Sequence, residues 1–81
     1  MVIRVLDAEA TGRKIKELRK AKKLTVEMIG ERLNLSDQAI YKWQRGESAP
    51  TLDNLLLLSD MLDTSLDELV QTKEIDTGLS A

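Results

Sequence analysis

Apolar positions recur along this chain at intervals of three and four, broken by short polar stretches, and the pattern predicts five helices. The clearest stretch runs from Thr25 to Gly46. Val26, Ile29 and Leu33 fall at i, i+3 and i+7 and make one apolar stripe. Thr25 precedes the stripe, where its hydroxyl can accept from an orphan backbone N–H of the first turn. Asn34 follows it and tolerates the left-handed conformation that ends a helix. Ser36 is placed to cap a second short helix, and Gly46 stands where that helix should stop. Ala39, Ile40 and Trp43 are its apolar positions, which assigns Ile40 and Trp43 to the core. Asp37, Gln38, Tyr41, Lys42 and Arg45 are left to face outward.

The flanks are read the same way. Residues 1–7, MVIRVLD, alternate loosely and are rich in β-formers. They are either an apolar arm laid on the core or a strand that pairs with its copy in a dimer. A first helix is expected from near Ala8 to near Lys22, with Ile15 and Leu18 inward. Asp7 or Thr11 would cap it, and Gly12 blurs its start. Residues 47–50 form a loop, since Pro50 blocks any continuation of the third helix. Thr51 caps a fourth helix from Leu52 to Leu62, with Leu52, Leu55, Leu56, Ser59 and Leu62 as the core stripe. Leu57, Leu58 and Met61 add apolar surface that calls for a further neighbour, either the arm or a second subunit. Ser65 and Glu68 make a capping-box pattern for a fifth helix anchored by Leu66, Leu69 and Val70. The division expected is an arm and helix start over 1–11, a helical domain over 12–71 and a flexible tail over 72–81.

Composition narrows the classes. A chain of 81 residues suits one domain and buries only about 60–65% of its unfolded surface. It has no cysteine and no histidine, so neither a disulfide nor a thiolate zinc site is available, and a reducing cytosol fits. With no Phe, one Trp and one Tyr, the core must be aliphatic. The longest apolar run, Leu55 to Leu58, is far below the roughly 20 residues of a membrane span. No signal peptide opens the chain and no sensor domain follows the helices, so a cytoplasmic protein without a ligand of its own is expected. Charge is distributed unevenly. Residues 12–46 carry ten cations against four acids, and residues 47–81 carry one cation against eight acids. Such a dipolar chain can present one side to phosphate and turn the other away.

The segments IKELRK (15–20), Leu24-Thr25, Ile29, Leu33, Ser36, IYKWQRG (40–46), Pro50 and SLDELV (65–70) together resemble the Xre/Cro–CI-like helix-turn-helix family, the phage-repressor type. The resemblance covers about residues 12–70. It implies an all-α, five-helix lambda-repressor-like DNA-binding fold, a dimer on a two-fold operator, and repression or activation of transcription. This chain departs from the family pattern at four places. Val26 stands where a phosphate-holding Gln is usual, which leaves the backbone N–H groups of that helix N-terminus. Asn34 stands for the usual Gly. Gln44 stands for a Glu that commonly pairs with the Arg matched here by Arg19. Gly30 replaces an Ala, which would let the second and third helices approach closely.

A helix-turn-helix whose second helix shows a polar face suits a major groove. The family's roles, carried over, make Asp37, Gln38, Tyr41 and Lys42 the candidates for base readout. Gln38 matches the N6/N7 edge of adenine; Lys42 suits guanine or phosphate; Tyr41 offers a hydroxyl to phosphate or its ring to a thymine methyl; Asp37 can accept from cytosine N4, repel the wrong sequence, or serve the helix terminus alone. Thr25, Ser36, Arg45 and Ser48 are the candidates for phosphate. The expected partners are double-stranded DNA and a second copy, joined through the fourth and fifth helices or the N-terminal arm. No cofactor, metal or catalytic residue is expected. Asp60, Asp63 and Asp67 are spaced like a carboxylate cluster, but no His or Cys backs them, and they read as a solvated face. The rival readings are a protein-binding module that kept the fold and an antitoxin that binds both a toxin and its own promoter.

Overall fold

Each helix begins on a side chain that accepts from its own first turn. In the computed structural model, which describes residues 1–79, the Asp7 carboxylate accepts from the Ala10 N–H at 3.0 Å and opens α1 (Ala8–Ala21). Thr25, Ser36, Thr51 and Ser65 do the same for α2 (Val26–Leu33), α3 (Asp37–Arg45), α4 (Leu52–Met61) and α5 (Leu66–Leu69). A cap of this kind contributes about 1 kcal/mol. α2 ends on Asn34 in the left-handed conformation (φ 58°, ψ 46°), and α3 ends on Gly46 (φ 75°). Two strands, β1 (Val2–Leu6) and β2 (Thr72–Asp76), complete the fold.

The core is aliphatic. Ile15, Ile29, Ile40, Leu58, Leu62 and Leu69 are fully buried, with Val26, Trp43 and Leu55 almost so. α1 packs on α3 and α5, α2 on α3, and α4 on α5. None of the described helices is long and apolar enough to cross a membrane.

α4 corrects the expected stripe. The buried positions are Leu55, Leu58, Ser59 and Leu62, while Leu52 is 63% and Leu56 46% exposed, and Leu57 also faces out. Four consecutive leucines make more than one apolar face, so apolar spacing alone does not choose between them. Ser59 can share the buried stripe because its hydroxyl donates to the Leu56 carbonyl at 2.7 Å. Thr11 is also reassigned. It is 1% exposed and caps nothing. Its hydroxyl accepts from the Gln71 N–H at 3.0 Å and lies 3.3 Å from the Gln71 carbonyl, which ties α1 to the start of β2. At α5 only half of the capping box forms: Ser65 accepts from the Glu68 N–H, and the Glu68 carboxylate takes the Thr64 hydroxyl instead.

The ends of the chain differ from expectation too. The segment read as a flexible tail is β2 over Thr72–Asp76, and it pairs antiparallel with β1 in the register Val2↔Asp76, Ile3↔Ile75, Arg4↔Glu74, Val5↔Lys73 and Leu6↔Thr72. The last part of that expectation, residues 80–81, lies outside the described residues. The first residues therefore form a strand, and its partner within the chain is β2. The ladder rather than burial holds β2, because every residue of it is exposed. The molecule is drawn out to 47 Å along one axis against 23 and 19 Å across.

Candidate nucleic-acid interface

The placement of α3 begins with glycine. α1 crosses the last turn of α3 at Gly12, where a Cβ would stand 2.1 Å from the Trp43 carbonyl oxygen and 2.9 Å from that of Gln44. Only a residue without a side chain lets the two backbones approach this closely. At the end of α3, Gly46 combines a positive φ with contact against Glu9, whose Cα would lie 2.8 Å from an added Cβ. Gly30 does what its departure from the family pattern suggests. An added Cβ would meet the Leu35 carbonyl oxygen at 2.7 Å, so the turn between α2 and α3 closes against it. The Leu35 N–H donates to the Gly30 carbonyl at 2.8 Å in the same turn.

Arg19 joins three segments. Its Nε donates to Gln44 Oε1 at 2.9 Å and its Nη1 to the Leu24 carbonyl at 2.9 Å. Gln44 thus keeps the geometry of the family's Arg–Glu pair without the second charge. Gln44→Glu should convert a neutral acceptor into a charge-assisted one and raise stability by about 1 kcal/mol in a urea titration. An unchanged or lower midpoint would show that desolvation of the new carboxylate outweighs the gain.

On this scaffold α3 buries Ile40 and Trp43 and turns Asp37, Gln38, Tyr41, Lys42 and Arg45 to solvent. Gln38, Tyr41, Lys42 and Arg45 fall at i, i+3, i+4 and i+7 and share one helix face. Among the described residues, the side chains of Gln38, Tyr41 and Lys42 make no hydrogen bond or ion pair, so their polar groups are free to meet a ligand. Arg45 differs. Its guanidinium Nε is paired with the Glu47 carboxylate. Both side chains are about half exposed, a setting in which such a pair is weak. Glu47 is the site residue that sequence reasoning missed. The signal was present as opposite charges either side of Gly46, whose left-handed turn folds the chain back on the helix end.

The phosphate candidates divide as well. Thr25 Oγ1 accepts from the Met28 N–H at 3.1 Å and Ser36 Oγ from the Ala39 N–H at 3.3 Å. Each hydroxyl is used as a cap acceptor and keeps its own O–H to donate. Ser48 is exposed in the loop after α3. Val26 is only 3% exposed and takes no part in the surface. Met28 Sδ lies 3.5 Å from the Thr25 N–H and occupies the position from which a capping-box carboxylate would accept. Lys22, at the far end of α1, is engaged with Asp63 at 3.3 Å. Among the described residues no cluster of His, Cys, Asp or Glu is placed to hold a metal ion.

Comparison with known proteins finds relatives in both sequence and structure. The Helix-turn-helix family model (HTH_3) covers residues 15–69. The HTH-type transcriptional activator BcrR of Enterococcus faecalis is 36% identical over 64 residues, 79% of this chain and 31% of BcrR. Repressor protein C2 of Salmonella phage P22 is 33% identical over 66 residues, 82% of this chain and 31% of the repressor. The chain therefore spans about a third of the length of these two relatives. The crystal structure of the P22 c2 repressor in complex with a synthetic operator superposes with a TM-score of 0.70 at 36% identity, covering 75% of this chain and 92% of that one. The restriction-modification controller protein C.AhdI of Aeromonas hydrophila gives 0.70 at 32% identity, over 78% and 96% of the two chains.

Proposed function

The chain belongs to the helix-turn-helix family, of the Xre/Cro–CI type, and from that premise we propose that it is a transcriptional regulator that binds double-stranded DNA sequence-specifically through α3. The observation that carries the proposal is the division of α3 itself. Ile40 and Trp43 are locked in the core, while Gln38, Tyr41 and Lys42 are exposed on the opposite face and, among the described residues, have their hydrogen-bonding capacity unspent. The start of α3 meets base edges: Gln38 reads adenine, Lys42 guanine or phosphate, Tyr41 a thymine methyl or phosphate, and Asp37 a cytosine amine. Thr25, Ser36, Arg45 and Ser48 hold the backbone on either side. Arg45 does so after exchanging Glu47 for phosphate. The likenesses to the activator BcrR and to the P22 repressor both support control of transcription, and the P22 likeness, present in sequence and in structure, favours repression. Two copies act together on a two-fold site, in the cytoplasm with the DNA they read.

Gel retardation of random-sequence duplex at low salt tests the proposal, with the salt then raised in steps. The chain should shift the duplex at about 50 mM salt and release it progressively, because phosphate contacts expel counterions. Lys42→Ala should reduce the slope of log K against log salt by about 0.9 if Lys42 neutralises one phosphate. A folded chain that leaves the duplex unshifted at low salt would return the polar face of α3 to the protein-binding reading.

A further inference from the structure

β1 has an open edge, and its sequence is nearly symmetric about Arg4. The Asp7 N–H donates to the Gln71 carbonyl and the Thr77 N–H to the Met1 carbonyl, each at 2.9 Å. These two bonds fix the parity of the ladder. Met1, Ile3, Val5 and Asp7 direct their backbone groups to β2, and Val2, Arg4 and Leu6 direct theirs away from it. Among the described residues, nothing outside the ribbon bonds to that outer edge. The strand is VIRVL, without proline and with Arg4 as its one charge. An edge of this composition is a template for another strand. A two-stranded ribbon standing alone is also marginal in water.

We propose that β1 pairs antiparallel with β1 of a second copy about a two-fold axis at Arg4, which joins the two ribbons into one four-stranded sheet. In that register Val2 lies opposite the partner's Leu6 and Ile3 opposite the partner's Val5, so every pair off the axis is apolar. Each outward N–H and C=O of Val2, Arg4 and Leu6 then meets its counterpart, and any slide of the register leaves some of them without one. Arg4 meets its own copy at the axis, but each guanidinium has Glu74 across its own ladder, so the charges run acid, base, base, acid along the row. The other edge is unsuitable. β2 turns Thr72, Glu74 and Asp76 outward, and a two-fold pairing there sets Glu74 against itself with no apolar pair on that face. The acids that rule out β2 as the joint also stop the sheet at four strands, so the assembly closes as a dimer.

The joint also covers apolar surface. Arg4 and Thr72 line a groove with Leu52, Leu66 and Val70 at the foot of the ribbon. The partner's Val2, set beside Leu6 on the same face of the sheet, falls toward that groove and toward the exposed Leu52. The inference deepens the two-copy reading of function and rests on it. Its test is read without DNA, so a failure here leaves DNA binding by the chain to be judged separately.

Sedimentation equilibrium of the full chain should give twice the 9.1 kDa chain mass. Arg4→Pro removes the N–H at the axis, which makes no bond to β2, and proline favours the extended backbone that Ile3 already has. The ribbon should survive and the dimer dissociation constant should rise about ten-fold or more. The chain has no cysteine, so Arg4→Cys places its only thiol on the axis, with Cα atoms about 5.5 Å apart and within disulfide reach. It should cross-link under mild oxidation, and Glu74→Cys should not. A monomeric wild-type mass, a folded Arg4→Pro chain that stays dimeric, or cross-linking through Glu74→Cys in place of Arg4→Cys overturns the inference. If Arg4→Pro loses its helical signal, the cysteine pair decides alone.

Discussion

Gly12→Ala is expected to destabilise the chain by about 2–3 kcal/mol. Helix propensity alone predicts the opposite sign. Alanine in place of glycine inside α1 should stabilise by roughly 0.5–1 kcal/mol. What reverses the sign is the crossing with α3. The added methyl would stand 2.1 Å from one backbone carbonyl and 2.9 Å from the next. Neither oxygen can turn aside as a flexible side chain would, because both belong to the last turn of a helix pinned by Ile40 and Trp43 beneath it. α1 must move off α3, and with it the Arg19 fork that joins Gln44 and Leu24. In a chain this size the loss corresponds to a fall in Tm of roughly 10–20 °C in a circular-dichroism melt. A variant that melts with or above the parent would show that the crossing has slack.

The second large effect falls on recognition. Gln38→Ala is expected to reduce discrimination between the cognate site and unrelated DNA by about 1–3 kcal/mol, roughly 5- to 150-fold. Gln38 is exposed on the second residue of α3, and among the described residues its side chain makes no hydrogen bond. Removing its amide therefore opens no cavity and strands no buried partner, and alanine suits a helix. The loss should appear only where the amide both donates to and accepts from a base edge. Affinity for unrelated duplex and the salt slope should be nearly unchanged, because no positive charge is lost. Competition binding on matched and scrambled sites measures both. An equal loss on the two would remove Gln38 from the readout.

How far the sequence reaches depends on whether a feature is local. The caps at Thr25, Ser36, Thr51 and Ser65, the left-handed Asn34 and Gly46, and the burial of Ile40 and Trp43 each follow from a few neighbouring residues, and each is legible. The exposed face of α3 follows with them. β2 is not legible, because TKEID has little apolar content and its pairing partner lies some seventy residues away. The stripe on α4 is hidden by leucine in every register, and the choice is made by packing and by the Ser59 hydroxyl. Gly12 reads as a weak helix start until α3 is seen against it. Arg45 reads as a free cation because its partner Glu47 lies beyond the helix end, brought back by Gly46.

The most direct measurement is selection of bound sequences from a random duplex pool by the full chain. If the free face of α3 enters a major groove, the selected pool should converge on a two-fold site. Its half-site centres should lie about one helical turn apart, roughly 34 Å, with adenine at the Gln38 contact. A folded chain whose selected pool stays indistinguishable from the input would contradict DNA reading by α3.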